Sequence, residues 1–332
     1  MRDIAKLAGV SSATVSRVIN GLNNVKPSTA ERVRKVIAEA KFYPNSSATT
    51  LKHGRSNSYG LIIPDITNPF FPELIRSFEQ IMVERNLDMF MATTDFHASR
   101  AQQSIRRMLI RKVDGVALLA SEIETEPIEA LVHNRVPLVT MDRRIVGPGL
   151  SDVQIDYYSG ILEAVKHLKS LRHTRIGYIG GSIGPTISDH HRDGFIKAMK
   201  KNSLKVDTEL MRAGDYRISG GERAMVELLN LRPYPTAIIA ANDLTAIGAL
   251  RALHARGLSV PSDVSVVGFD DIELADLFQP PLTTVKLPRQ QLARQLFKAL
   301  EGLQSDAQSL GTQYEVAGSL VIRKSTAMAR AD

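Results

Sequence analysis

The sequence contains no cysteine, which excludes disulfide bonds, thiolate metal sites and a cysteine nucleophile. It also lacks a long hydrophobic run: its longest apolar stretches, such as 60–63 and 116–120, fall far short of the ~18 residues that a membrane span needs. No apolar signal core follows residues 1–6, so nothing there directs secretion. With 43% hydrophobic and 23% charged residues among 332, we expect a soluble cytoplasmic protein of roughly two domains.

The excess positive charge is confined to the first sixth of the chain. The whole sequence has 42 basic and 35 acidic residues, a net charge of +7, and residues 1–58 alone contain ten basic and three acidic residues. Charge concentrated in this way attracts phosphate backbones. A basic solubilising tail is the alternative, but the segment is not of low complexity and is patterned for helices. The charge distribution therefore favours a nucleic-acid partner.

The first forty residues have the pattern of three short helices. One spans 3–8 and ends at the turn 9–10, and Ser11 can cap a second helix that runs to about Ile19. A third begins at the Ser-x-x-Glu capping box of 28–31. The apolar positions that repeat at helical spacing are Ile4, Leu7, Val15, Val18, Ile19, Val33, Val36, Ile37 and Ala40.

A helix, a short glycine turn and a second helix form the skeleton of a helix-turn-helix, whose second helix enters the DNA major groove. The pattern alone also fits any small three-helix bundle, and the local positive charge favours DNA binding. In the DNA-binding interpretation, the exposed face and front of the recognition helix are formed by Ser12, Ala13, Thr14, Ser16 and Arg17.

The polar segment 44–58 has the composition of a linker. Residues 46–52 nevertheless contain no Gly or Pro and could form two helical turns, although so short a helix is marginal without a partner. Leu51 is the only large apolar side chain between Pro44 and Tyr59. It either packs on a neighbour or acts as a wedge for a minor groove, and the spacing leaves both interpretations open.

From Tyr59 onward, predicted strands and helices alternate, which predicts parallel sheets covered by helices. The strands are 59–63, 89–92, 113–119, 137–141, 175–179, 236–240 and 264–269, and the helices are 70–85, 99–111, 157–171, 190–201, 220–231, 243–256 and 289–303. The roughly 270 residues from Tyr59 onward favour two lobes over a single sheet. Ligands of open α/β sheets bind beyond the carboxyl ends of the strands, where polar residues cluster here at 65–71, 95, 142–143, 180–184, 242–243 and 270–271.

Signals for catalysis are weak. The glycine-rich segment 180–184 has neither the GxGxxG order nor a GKS or GKT, and no HExxH motif occurs. His190 and His191 are adjacent, so their imidazoles diverge on a helix and do not suit a metal ion. Asp142 and the pair 270–271 are possible catalytic acids, but they serve equally well as acceptors for hydroxyl groups. We expect no enzymatic activity and no cofactor or metal.

Several motifs follow one another along the whole chain: 3–11 (DIAKLAGVS), 14–20 (TVSRVIN), 65–71 (DITNPFF), 113–115 (VDG), 142–143 (DR), 241–243 (AND), 260–271 (VPSDVSVVGFDD) and 281–285 (PLTTV). In this combination and order, the chain resembles the LacI/GalR family of bacterial transcriptional regulators. The resemblance implies an all-α helix-turn-helix headpiece at 1–44, a hinge helix and linker at 45–58, and an α/β core at 59–332.

The core implied by the resemblance is two-lobed, like a periplasmic sugar-binding protein, with parallel sheets and three crossings of the chain between lobes. Its amino-terminal lobe would comprise about 59–156 and 288–315, and its carboxy-terminal lobe about 157–287 and 316–328. The resemblance also implies a homodimer without a membrane partner. The protein would bind double-stranded, pseudo-palindromic operator DNA and repress transcription, and a sugar or related metabolite would control this binding. A cytoplasmic enzyme fused to a DNA-binding module is the alternative.

The resemblance also assigns site residues. Ser12, Ala13 and Arg17 would reach base edges, Leu51 would insert at the centre of the operator, and the remaining DNA-contacting positions would be Thr14, Ser16, Asn24, Ala48 and Lys52. Side chains lining the effector cleft would be Phe70, Phe71, Asp142, Arg192, Tyr216, Asn242 and Asp270. The aromatic members could instead be core residues, and Arg192 could be a surface charge on its helix.

Overall fold

The computed structural model describes residues 1–19, 21, 24–42, 55–120, 125–181, 187–304 and 309–330. The chain divides into two compact units, Met1–Ser56 and Asn57–Asp332. The predicted hinge helix at 46–52, with Ala48, Leu51 and Lys52, lies outside the described residues, as does the segment 182–186 of the glycine-rich loop.

Three helices form the first unit: α1 (Arg2–Leu7), α2 (Ser12–Ile19) and α3 (Pro27–Glu39). Ile4, Val15, Val18 and Val33 lie in its buried core and belong to the apolar positions that the helical spacing predicts, whereas Leu7, predicted with Ile4, is exposed. The turn between α1 and α2 contains Gly9 at a φ of +60°, a conformation that suits glycine. The predicted cap of α2 is confirmed, because Ser11 Oγ accepts a hydrogen bond from the backbone N–H of Thr14 at 3.2 Å.

The start of the third helix differs from the prediction. The helix begins at Pro27, and the residue that precedes it, Lys26, makes no side-chain capping bond. Ser28 therefore lies inside the first turn, and the predicted capping box is wrong. Proline fixes φ near its helical value and lacks the N–H that would be unpaired at this position, so it begins the helix one residue earlier. Ala40, predicted on the buried stripe, is exposed just beyond the helix end.

The second unit contains two six-stranded sheets. The first has the strand order β11-β5-β4-β3-β1-β2 and the second β12-β10-β9-β8-β6-β7. All neighbouring strands are parallel except β10 and β12, which are antiparallel. The strands are β1 (Ser58–Ile63), β2 (Asp88–Thr93), β3 (Gly115–Leu118), β4 (Leu138–Met141), β5 (Leu150–Asp156), β6 (Ile176–Gly180), β7 (Met211–Ala213), β8 (Ala237–Ala240), β9 (Ser265–Asp270), β10 (Thr283–Lys286), β11 (Gln313–Ala317) and β12 (Ser319–Val321).

Helices cover these sheets, because both faces of a parallel sheet have to be buried. They are α4 (Phe70–Glu84), α5 (Ala98–Arg111), α6 (Thr125–His133), α7 (Tyr157–Ser170), α8 (Ile187–Lys201), α9 (Ile218–Leu229), α10 (Asp243–Ala255) and α11 (Arg289–Gln304). No helix in the described ranges is long and apolar enough to cross a membrane. The predicted α/β class with two sheet-based lobes is confirmed.

The chain passes between the two sheets three times. The crossings lie between β5 and α7, between β10 and α11, and between β11 and β12. The connections run side by side, since a Cβ added at Gly160 or at Gly318 would overlap the side chain of Val285. Close packing of this kind needs glycine at both positions. Residues on either side of these crossings therefore belong to different lobes while remaining near one another.

Five strands and one helix were not predicted: β5, β7, β10, β11, β12 and α6. The clearest case is β5, whose residues are nearly all buried although its sequence includes Asp152. That carboxylate accepts hydrogen bonds from the Thr140 hydroxyl at 2.6 Å and from the N–H of Arg144 at 3.0 Å. Satisfied polar side chains interrupt the apolar run that identifies a buried strand.

A buried histidine ties the carboxy-terminal residues to the second sheet. His173 Nδ1 lies 3.0 Å from Thr236 Oγ1, and its Nε2 lies 3.1 Å from Ser265 Oγ and 3.0 Å from the carbonyl oxygen of Ala327. Burial lowers the pKa of His173 below its ordinary 6.5. The folded state therefore favours the neutral imidazole, and its stabilising contribution is present above about pH 6.5 and is lost as the pH falls.

We expect His173→Asn to lower the free energy of unfolding most at pH 7.5 and progressively less toward pH 5. Chemical denaturation gives the free energy of unfolding of wild type and variant at each pH. Titrating groups that both proteins share contribute equally to the two values and cancel in the difference. His254→Asn, at an exposed helix position, is the control for loss of an imidazole that lacks these buried contacts. If the free energies of unfolding of wild type and His173→Asn differed by the same amount at every pH, the stabilising role assigned to the neutral imidazole would be wrong.

Candidate DNA interface and interlobe site

The recognition helix α2 presents a small polar surface. Ser12, Ala13 and Arg17 are exposed, while Thr14 and Ser16 are only partly accessible. Thr14 Oγ1 hydrogen-bonds to Ser11 Oγ at 3.0 Å, which commits this hydroxyl to the start of the helix. Asn24, between α2 and α3, is exposed. The described structure thus places three of the predicted base-contacting side chains together on one accessible face.

The second candidate site lies between the lobes, at the carboxyl ends of the strands. Of the predicted residues, Asp142 follows β4, Tyr216 and Asn242 follow β7 and β8, and Asp270 ends β9. Four further side chains belong to the site: Asn68, Tyr157, His191 and Phe269. We refer to these eight residues as the interlobe site. Open α/β sheets bind ligands at such strand ends.

Asp142 is buried, and its carboxyl group is held within the protein. One oxygen accepts from the N–H of Ile155 at 2.7 Å, and the other accepts from the Tyr157 hydroxyl at 2.5 Å. Burial raises the pKa of Asp142 to about 7, against the opposing effect of these hydrogen bonds. The carboxyl group thus orients Tyr157, the first residue after the chain crosses to the second lobe.

Asn242 determines how Tyr216 enters the site. Its Oδ1 accepts from the N–H of Thr245 at 2.8 Å and caps α10, and its Nδ2 donates to the carbonyl oxygen of Tyr216 at 3.0 Å. Tyr216 has a φ of +62°, and its ring lies against Gly181, where a Cβ would overlap it. The Asn242 amide therefore joins the start of α10 to the tyrosine and positions the tyrosine through its Nδ2 end.

Asp270 links the two lobes. It is buried at the end of β9 and hydrogen-bonds to Asn68 of the first lobe. Desolvation, and then the nearby carboxyl group of Asp243, raise the pKa of Asp270 well above its ordinary value. Asp243 accepts from the Thr284 hydroxyl at 2.5 Å and the N–H of Ile272 at 2.9 Å, and burial raises its pKa to about 7.

Phe70 and Phe71 are buried at the start of α4, with ring centroids 5.3 Å apart in an edge-to-face arrangement. Asn68 Oδ1 accepts from the N–H of Phe70 at 3.1 Å and so fixes the start of this helix beside Asp270. The Arg289 guanidinium lies 5.7 Å from the Phe70 ring. Both phenylalanines are part of the hydrophobic core, and their predicted contact with an effector stays a prediction.

On α8, the structure separates two neighbouring residues. Arg192 is half-exposed and forms ion pairs with Asp189 at 2.9 Å and Asp193 at 3.6 Å, both on its own helix. His191 is buried instead, with its ring centroid 3.9 Å from Tyr157 and 4.8 Å from Phe269. Burial lowers the pKa of His191 to about 3, so the imidazole is neutral at ordinary pH.

From the sequence, His191 is weighed only as a metal ligand. Within the described residues, no group of three or more potential metal-ligating side chains occurs. A signal for its burial was present. His191 lies four residues before Phe195 and seven before Ala198, both fully buried, and therefore on the apolar face of α8. Tyr157 and Phe269 carried no comparable signal, because each looks like an ordinary core aromatic.

Arg217 of the second lobe contacts two carboxylates of the first. Its Nη2 lies 2.9 Å from Asp95 Oδ1 and its Nε 3.6 Å from Asp65 Oδ2, and the guanidinium is 5.8 Å from the Phe96 ring. Glu73 of the first lobe adds a second link, since it accepts from the N–H of Glu273 of the second lobe at 2.9 Å while pairing with Arg289 of its own lobe. These contacts hold the lobes together at the edges of the interlobe site.

We expect Arg217→Ala to favour a more open arrangement of the lobes, because it removes two ion pairs and leaves the nearly buried Asp65 without this partner. Exposed ion pairs contribute only about 0–1 kcal/mol each, so the shift should be modest. A larger radius of gyration in small-angle X-ray scattering measures it. Arg223→Ala removes a contact within the second lobe and should leave the radius unchanged. Equal radii for Arg217→Ala and wild type would contradict the role of this contact.

Comparisons with known proteins agree with this architecture. Residues 1–45 match the family of bacterial regulatory proteins, lacI family, and residues 165–326 match the periplasmic binding protein-like domain. The HTH-type transcriptional repressor PurR of Actinobacillus pleuropneumoniae is 33% identical over 330 residues, which cover 98% of this chain and 97% of the relative.

Two solved structures extend the likeness to the whole chain. One is the Lac repressor dimer bound to operator and the anti-inducer ONPF, with a TM-score of 0.86, 26% identity and 98% of each chain covered. The other is the complex of the transcriptional regulator CelR with cellobiose, with a TM-score of 0.75, 29% identity, and 97% of this chain and 98% of that chain covered. The chain thus belongs to the lacI family of bacterial transcriptional regulators, as its sequence motifs predict.

Proposed function

We propose that this chain is a homodimeric transcriptional repressor whose operator affinity is controlled by a small molecule, a sugar or related metabolite, bound at the interlobe site. The observation that carries the proposal is the composition of that site. Aromatic rings, a histidine and Asp270 of the second lobe converge with Asn68 and Asp142 of the first lobe where the lobes meet. Ring faces suit the apolar faces of a sugar, and the carboxyl groups suit its hydroxyls.

The two-lobed arrangement gives a bound ligand a way to control operator binding. A ligand that contacts Asn68 and Asp142 of the first lobe and Tyr216 and Asp270 of the second favours one relative orientation of the lobes. The first lobe follows the linker to the headpiece, so a change in lobe orientation alters the geometry of two headpieces in a dimer. A ligand shifts such an equilibrium only by its differential affinity for the two states.

For DNA, we propose that Arg17 reads a guanine bidentately, that Ser12 makes a hydroxyl contact, and that Ala13 packs on a thymine methyl group. Supporting positions are Thr14, Ser16 and Asn24 in the headpiece. In the hinge segment, which lies outside the described residues, they are Ala48, Leu51 and Lys52, with Leu51 as a minor-groove wedge. Two-fold symmetry of the protein implies a pseudo-palindromic operator.

The relatives support the proposed repressor function, the dimer and the class of effector. PurR is named a repressor, the Lac repressor structure is a dimer on its operator, and the CelR structure contains cellobiose. We further propose that the protein acts on DNA in the cytoplasm and has no catalytic activity. Both oxygens of Asp142 already accept hydrogen bonds within the protein, from Ile155 and Tyr157, a use that favours a binding role over a catalytic one.

The test begins with selection of duplexes from a random library by the full-length protein, followed by fluorescence anisotropy with the selected and a scrambled duplex. We expect a pseudo-palindromic consensus and a large excess of specific over scrambled binding. Addition of the sugar or nucleoside that raises the melting temperature should change the operator affinity. Conversion of that compound, detected by NMR, would favour the enzyme alternative, and failure to select any duplex would contradict DNA binding.

A further inference from the structure

His191 occupies the centre of the aromatic part of the interlobe site. Its ring lies 3.9 Å from Tyr157, 4.8 Å from Phe269 and 6.4 Å from Tyr216, measured between ring centroids. Only 4% of its surface is accessible. An imidazole enclosed by three aromatic residues is held in a fixed orientation, so its nitrogen atoms point in defined directions.

The Nδ1 atom of His191 is fully buried and has no hydrogen-bond partner among the described residues. Buried polar atoms are nearly always paired, and those that are not are often explained by function. Within the described residues, the Tyr157 hydroxyl donates to Asp142, and the Asn242 amide bonds to Tyr216 and Thr245 rather than to this nitrogen. A ligand bound beside these rings would supply it.

Among the described residues, the arginines beside this histidine are paired with carboxylates or exposed to solvent. Arg192, the adjacent residue, is paired with Asp189 and Asp193, and Arg289 is paired with Glu73. Arg144 is exposed and acts on the Asp142 carboxyl group. A phosphate or carboxylate placed beside the buried carboxyl groups of Asp142 and Asp270 would lose its hydration without gaining a buried, unpaired cation from the described residues.

We propose that His191 is the hydrogen-bonding group that selects an uncharged ring ligand at the interlobe site, and that phosphorylated and carboxylated forms of such ligands are excluded. The inference rests on the proposed function, since it names the class of effector and a residue that recognises it. A neutral imidazole either donates or accepts at Nδ1, and the ligand's hydroxyl or ring nitrogen selects the tautomer. The raised pKa values of Asp142 and Asp270 and the lowered pKa of His191 agree with a site of uncharged groups.

The experiment uses the full-length protein and isothermal titration calorimetry with pairs of probes that differ by one phosphate. The pairs are ribose and ribose 5-phosphate, glucose and glucose 6-phosphate, cellobiose and cellobiose 6-phosphate, and adenosine and adenosine monophosphate. We expect an uncharged member of at least one pair to bind, and its phosphorylated counterpart to bind about a hundredfold more weakly or not at all.

Three variants test the histidine. His191→Phe keeps an aromatic ring between Tyr157 and Phe269 but removes the nitrogen atoms, and we expect about tenfold weaker binding of the uncharged probe. His191→Asn places an amide near the position of Nδ1 and should restore part of that loss. His254→Phe, an exposed position on α10, should bind like wild type. Melting temperatures show whether each variant is folded. If His191→Phe does not fold, the His191→Asn variant and the paired probes on the wild-type protein test the proposal.

The outcomes separate this inference from the proposed function. Equal or tighter binding of a phosphorylated probe would overturn the inference and leave effector control intact. Wild-type affinity in His191→Phe would remove the histidine from recognition. Binding of no probe from either class would contradict the sugar or nucleoside effector and the inference with it, whereas selection of a specific duplex would still support DNA binding.

Discussion

Replacement of Arg17 by alanine is expected to weaken binding to the selected operator by about 1–3 kcal/mol and to relax the preference at one base pair in each half-site. Arg17 is exposed on α2, and it is the only member of the accessible face formed with Ser12 and Ala13 that can bond a guanine bidentately. Anisotropy titrations with the operator, single-base variants and scrambled DNA measure both effects.

Lys35→Ala provides a matched control, since it removes the same charge from an exposed position on α3 of the headpiece. We expect it to change specific and scrambled binding by similar small factors, because it carries no base readout. If Arg17→Ala weakened specific and scrambled DNA equally, Arg17 would contact phosphate, and its assigned role in sequence readout would be wrong.

Replacement of Asp270 by alanine is expected to abolish the response to effector while leaving operator affinity without effector within a few-fold of wild type. Asp270 is buried where β9 ends and reaches across to Asn68, so its loss removes an acceptor that a bridging ligand needs. The headpiece is a separate compact unit and keeps its fold. Operator titrations with and without a saturating concentration of the bound probe measure the response.

Asp276→Ala is the control for this substitution. It removes an exposed carboxylate from the segment that follows β9, and the effector response should persist. If the effector changed the operator affinity of Asp270→Ala as it does in wild type, Asp270 would have no role in the mechanism. The proposed location of the ligand between the lobes would then also be wrong.

The alternation of strands and helices was sufficient to predict the two-lobed α/β core, because apolar runs such as β1 and β9 are buried on both faces. It failed for β5, where the buried Asp152 is compensated by hydrogen bonds that no sequence pattern reveals. It also failed for the edge strands β7 and β12, which are short and partly exposed. At the third helix, proline at the first position overrode a plausible capping box.

The composition of the interlobe site was only partly predictable. Polar residues at strand ends, such as Asp142 and Asp270, follow from topology. The orientation of α8 does not, and successive residues on a helix differ by about 100° in direction. His191 therefore faces Tyr157 and Phe269 while Arg192 pairs with acids of its own helix. The Arg192 assignment thus remains a prediction, and the packing of α8 favours its neighbour as the contacting residue.

Control of DNA binding from the interlobe site is tested most directly by measuring one coupling factor in two ways. The operator dissociation constant is determined with and without saturating ligand, and the ligand dissociation constant is determined with and without saturating operator. Because the coupling free energy belongs to both equilibria, the two ratios have to be equal, and we expect about a 5- to 150-fold change in each. A ligand that binds the full-length protein and leaves operator affinity unchanged would contradict effector control.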